Sequence, residues 1–107
     1  MPVEAVVNLA EFKGRLESAG EGVLVAVDFS AAWCGPCRMI SPKFEEMAVE
    51  FTRAVFLKVD VDEASDVAEV YKIQCMPTFL FFKNGEKVDE FSGANEQKLR
   101  AMINKLV

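Results

Sequence analysis

Apolar positions along this chain fall either in unbroken runs or in stripes three and four residues apart, and that alternation predicts an element order. Val3 to Val7 reads as a short strand. Asn8 then suits a helix N-cap, with Glu11 three residues on to answer it. Leu9, Phe12 and Leu16 share one face of that helix, and Gly20 and Gly22 end it. Val23 to Phe29 is apolar at nearly every position, as expected of a strand covered on both faces. After Cys34, a second helical stripe holds Ile40, Phe44, Met47 and Phe51, with Pro42 inside it as an expected kink. Val55 to Val59 is another buried strand, and Val67, Val70 and Tyr71 suggest a short helix. Thr78 to Phe82 and Lys87 to Phe91 flank Asn84-Gly85, a pair suited to a tight hairpin. Asn95 can cap a last helix whose inner face is Leu99, Met102, Ile103 and Leu106.

The resulting order, βαβαβαββα, places parallel crossovers first and an antiparallel hairpin last. It predicts an α/β protein with a mixed sheet and helices on both faces. At 107 residues, with no repeat or linker, the chain is expected to form a single domain, 1–107.

Within this frame one tetrapeptide carries chemistry. Cys34-Gly35-Pro36-Cys37 directly follows an apolar run and opens a helical stretch. Thiols at i and i+3 lie about one helical turn apart, within the span of about 4.4–6.8 Å between Cα atoms that a disulfide needs. The unpaired N–H groups of a first helical turn favour a thiolate there. Cys34, nearer the helix start, is expected to be the more exposed and more reactive thiol, and Cys37 the more buried partner. Proline fits the first turn, where its missing N–H costs nothing. Half of a zinc site is the competing reading, but three cysteines and no histidine do not supply four ligands of the common types.

Charge and composition narrow the possibilities further. The net charge of −5, with basic residues dispersed, argues against nucleic acid as a partner. Histidine is absent, so acid–base work falls to Cys, Asp, Glu, Lys or Tyr. No apolar run approaches the ~20 residues of a membrane span. The start, Met1-Pro2-Val3-Glu4, lacks the basic flank and apolar stretch of a secretory signal, so a cytoplasmic location with no membrane association is expected.

Trp33-Cys34-Gly35-Pro36-Cys37, Asp28 six residues before the first thiol, and Met76-Pro77-Thr78 together resemble the thioredoxin family. The resemblance covers the whole chain. The segments Val27 to Ser30, Phe56 to Asp62, Cys75 to Phe79 and Phe91 to Asn95 are most similar to its animal cytosolic members. Ala32 and Arg38 depart from the threonine and lysine common at those places. The resemblance implies a thioredoxin fold, a central mixed five-stranded sheet flanked by four helices. It implies a protein-disulfide reductase in which Cys34 attacks a substrate disulfide and Cys37 resolves the mixed disulfide. No bound cofactor is implied, because the electrons reside on the two sulfurs. A separate NADPH-dependent thioredoxin reductase would regenerate them. A redox-gated binding module, holding partners without turnover, is the alternative.

The same resemblance assigns roles to further residues. Asp28 would act through water as base and acid toward Cys37. Burial in its strand would raise its pKa, whereas a solvent-facing place at the strand end would not. Lys58 on the neighbouring strand could moderate the burial cost. Pro77 would be cis, the alternative being a trans proline opening an edge strand. Trp33, Gly35, Pro36, Met76, Pro77, Gly93 and Ala94 would form an apolar, backbone-rich surface for disulfide-containing protein substrates. Trp33 could instead be a core residue. Cys75 is either a small semi-buried residue or a regulatory thiol linking an otherwise monomeric protein into a homodimer under oxidation.

Overall fold

The computed structural model describes residues 2–107. Along the chain run β1 (Val3–Val6), α1 (Leu9–Ser18), β2 (Val25–Ser30), α2 (Gly35–Glu50), β3 (Val55–Asp60), α3 (Ser65–Val70), β4 (Thr78–Lys83), β5 (Glu86–Ser92) and α4 (Glu96–Leu106). The strands form one five-stranded sheet in the order β1-β3-β2-β4-β5. β3 pairs in parallel with both β1 and β2, while β4 runs antiparallel to β2 and to β5. The mixed sheet expected from the apolar runs is therefore the one observed.

β2 is buried at every position, and its side chains alternate between two cores. Val25, Val27 and Phe29 face α1 and α3, where the Phe12 ring meets Tyr71 and Phe82 at 5.5 and 5.6 Å. Ala26 faces α2 and α4, where Phe44 lies 5.2 Å from Phe56 and 5.7 Å from Phe79. These edge-on and tilted ring contacts add about 0.5–1.5 kcal/mol each beyond area burial.

Local signals place the element ends. Asn8 and Asn95 cap α1 and α4, accepting the Glu11 and Lys98 N–H groups at 2.8 and 2.9 Å. Glu11 reaches back as expected, but to the N–H of Val7 at 3.3 Å, one residue before the cap. Asn84 and Gly85 both have positive φ, 53° and 78°, the backbone that a two-residue hairpin turn requires. The second strand starts at Val25, two residues later than the apolar run suggests, although Leu24 is still buried. α2 runs unbroken through Pro42.

The fully buried Phe12 ring of α1 packs against Phe29 of β2, Tyr71 just after α3 and Phe82 of β4, so Phe12→Ala is expected to destabilise by about 3–5 kcal/mol. Denaturant unfolding checks this. A loss well under 2 kcal/mol would mean that the cluster closes over the space without cost.

Candidate active site

The geometry of the thiols follows from how β2 hands over to α2. After Ser30 the chain turns, with Cys34 N–H donating to the Ala31 carbonyl at 3.1 Å. Cys34 is then the N-cap of α2, in extended backbone, with Gly35 and Pro36 as the first helical residues. Its Sγ does what an aspartate or serine oxygen does at other caps, accepting the Cys37 N–H at 3.2 Å. Cys34 and Cys37 are joined as a disulfide with Cα atoms 5.3 Å apart. The expected difference in exposure is not seen, since Cys34 is 5% exposed and Cys37 3%. Both pack with Ala31, under Val61 and Met76, which cover the bonded pair as a unit. What distinguishes the two sulfurs is the helix terminus, not access.

A second loop faces the pair. The Met76–Pro77 peptide is cis, and the Met76 carbonyl oxygen lies 3.7 Å from Cys34 Sγ. Gly93 N–H donates to the Pro77 carbonyl at 2.9 Å from a φ of 108°, a conformation that side chains with a Cβ rarely adopt. Gly35, Pro36, Gly93 and Ala94 are exposed, Met76 is half-buried and Pro77 is buried. Pro77 therefore shapes the expected surface from beneath and offers little area of its own. Trp33 is 66% exposed, which removes its reading as core, and its indole N–H donates to Asp62 Oδ2 at 2.9 Å. Cys75 is a free thiol and exposed, not semi-buried.

Asp28 is buried, at 1% exposure, and not solvent-facing. In register it lies between Lys58 on β3 and Phe79 on β4. Burial pushes its carboxyl from the ordinary 3.8 up to about 7, against the opposing pull of the Lys58 charge. Its Oδ1 has no hydrogen-bond partner among the described residues. Nearby, a groove of about 160 Å³ is lined by Ser30, Cys37, Arg38, Ser41, Lys58 and Asp60, giving a polar approach to the second cysteine.

Three contacts at this end of the sheet had no signal in the sequence. Asp62 anchors the tryptophan across 29 positions, and Arg38 Nη1 donates to the Ala32 carbonyl at 2.8 Å. Thr78 and Ser92 link their hydroxyls at 2.9 Å. Each depends on side-chain direction after folding, which apolar spacing does not encode. Among the described residues no cluster of three or more metal-ligating side chains is placed to hold an ion, and no helix is long and apolar enough to cross a membrane.

The likeness to known proteins is extensive. A family model described as Thioredoxin matches residues 3–105. The chain is 55% identical to the thioredoxin of Gallus gallus over 105 residues, 98% of this chain and 99% of that one. Against the thioredoxin of Homo sapiens it is 51% identical over 105 residues, with the same shares of 98% and 99%. Among solved structures, Fasciola hepatica thioredoxin superposes with a TM-score of 0.95 at 44% identity, covering 97% of this chain and 99% of that chain. Reduced Schistosoma mansoni thioredoxin pre-protein gives 0.93 at 41%, covering 98% of each. Kinship in sequence and superposition of backbone run along nearly the whole length, and the chain carries the joined Cys34–Cys37 pair at the start of α2, so it belongs to the thioredoxin family and is a thiol–disulfide oxidoreductase.

Proposed function

We propose that this oxidoreductase works as a general reductant of protein disulfides, with Cys34 as nucleophile, Cys37 as resolving thiol and Asp28 as the group that moves the proton. The observation that carries the reading is the sulfur cap: Cys34 Sγ sits where the N-terminus of α2 aims an N–H at it. Once the pair is reduced, that N–H and the partial positive charge of the helix end stabilise a thiolate on Cys34. The thiolate attacks one sulfur of a substrate disulfide. That S–S bond breaks, and the departing substrate thiolate takes a proton. Cys37 then gives its proton to Asp28 through a bridging water and attacks Cys34 Sγ. The Cys34–Cys37 disulfide forms as the Cys34–substrate S–S bond breaks, the second substrate sulfur leaves as a thiolate and takes the proton back from Asp28, and two electrons have passed to the substrate.

The raised pKa of Asp28 supports this role, because a carboxyl titrating near 7 can both accept and return a proton at neutral pH. Trp33, Gly35, Pro36, Met76, Gly93 and Ala94, over Pro77, would form the docking surface, on which an extended substrate adds to the Met76 main chain as a short strand. Among the described residues the Met76 N–H and carbonyl have no main-chain hydrogen-bond partner, which leaves them for such pairing. Proteins of this family carry no prosthetic group. We propose regeneration by a separate NADPH-dependent thioredoxin reductase, a cytoplasmic setting in which the dithiol is kept reduced, and a monomer as the working form. Exposure of Cys75 suits an intermolecular disulfide under oxidation, which would link two copies.

Insulin-disulfide reduction with dithiothreitol tests the central reading. Cys34→Ser and Cys37→Ser should each lower turnover by about two orders of magnitude or more, and Cys37→Ser should accumulate a mixed disulfide. Turnover retained in either variant would sink the assignment, and a wild type that captures partners without turnover would favour the binding module.

Asp28 also predicts a pH dependence of stability. Its carboxyl is protonated in both states below pH 3.8, so its burial then costs nothing through ionisation. As pH rises, the unfolded state ionises first, and stability is lost until the folded carboxyl ionises at about 7. At about 1.4 kcal/mol per pH unit the full loss is about 4 kcal/mol. Asp28→Asn should therefore stabilise the oxidised protein by about 2–4 kcal/mol at pH 8, with the gain vanishing near pH 3.5. An equal gain at both pH values would contradict a buried acid.

Lys58→Gln removes the opposing charge, so the loss of stability should continue to higher pH than in the wild type. Unfolding curves between pH 6 and 9 that superpose for the two proteins would remove Lys58 from this account.

A further inference from the structure

We propose that Thr78, backed by Ser92, is a positioning residue that sets the direction of the Met76 N–H toward incoming substrate. The inference rests on the strand-docking reading of Met76 given above. Thr78 opens β4 and is buried, and its Oγ1 donates to the Cys75 carbonyl at 2.5 Å. Ser92 lies directly opposite in the β4–β5 register, with Oγ 2.9 Å from Thr78 Oγ1. A hydroxyl has one proton, and the carbonyl can only accept. Thr78 therefore gives its proton to Cys75, and Ser92 gives its own to Thr78. The two residues form a relay running from an exposed serine to a main-chain carbonyl.

That carbonyl belongs to the Cys75–Met76 peptide unit. The unit is planar and trans, since the cis bond in this loop is the next one, Met76–Pro77. In a trans peptide the C=O and N–H point in opposite directions. Holding the Cys75 oxygen inward on Thr78 thus turns the Met76 N–H outward. The other side of the loop is held separately, by Gly93 N–H on the Pro77 carbonyl at 2.9 Å. Both carbonyls flanking Met76 are tied down from inside the fold, and Met76 between them keeps its own groups for a partner. Thr78 touches neither sulfur nor substrate in this scheme. It acts through the orientation of one peptide plane.

The test compares two substrates, a disulfide-containing peptide long enough to lie along Met76, and 2-hydroxyethyl disulfide, which has no main chain to pair. For Thr78→Val, which keeps shape and loses the hydroxyl, the ratio of kcat/KM for peptide to that for the small disulfide should fall about 3–10-fold, mostly through KM. Thr78→Ser should restore the ratio, and Ser92→Ala should lower it in the same direction by less. Ser92 is exposed, so its variant reports even where Thr78→Val folds poorly. A ratio unchanged from wild type in Ser92→Ala and in folded Thr78→Val overturns the proposal, as does a failure of Thr78→Ser to restore it. A peptide N-methylated at its pairing amides separates the two layers. If the wild type reduces it as well as the parent peptide, the strand-docking reading itself fails. If the wild type discriminates and the Thr78→Val ratio stays level, only the role of Thr78 fails.

Discussion

The pairing of β2 in two opposite senses is the constraint from which the site follows. Because β3 runs parallel to it and β4 antiparallel, the end of β2 lies beside the beginning of β4, with Phe29 opposite Thr78. The turn carrying Cys34 and the loop carrying Met76 therefore emerge at the same edge of the sheet, although more than forty positions separate them in sequence. Phe44, wedged between Phe56 and Phe79, seats α2 against that sheet. A helix seated this way presents its first N–H groups to a fixed point, and Cys34 Sγ occupies it. Packing far from the sulfurs thus sets the electrostatics at them.

The same strand holds the cost of the chemistry. Asp28 stands among apolar neighbours in the one strand buried at every position, and it would be a poor choice for stability alone. A buried carboxyl titrating near neutrality is what the proposed proton transfer at neutral pH requires, so under that proposal stability and activity pull in opposite directions at this residue.

Much of this was legible from the chain. Unbroken apolar runs gave β2 and β3, Asn-Gly gave the hairpin, and two asparagines marked helix starts, because each signal acts through near neighbours. Asp28 was readable as buried because the run around it left no solvent side. The failures share a different cause. The matched burial of Cys34 and Cys37 depends on cover from Val61 and Met76, neither of which is close to them in sequence. Burial of Pro77 and exposure of Cys75, two residues apart, are set by the path of the loop that leads into β4. The Asp62 contact to Trp33 and the Thr78–Ser92 link arise only once separate strands and turns converge. Local pattern specified the elements, and convergence specified the finer features of the site.

The outer strands bear on how a foreign strand can be accepted safely. β1 is only four residues long, and β5 carries Glu86, Lys87, Asp89 and Glu90 beside a bulge at Phe81/Phe82. Short length, charged side chains and broken register are the devices by which sheet rims resist aggregation. If substrates add to the Met76 main chain as proposed, fortified rims would confine that pairing to a few residues next to the sulfurs. Visiting chains would then be kept from the flanks, where their attachment would seed polymers in place of chemistry.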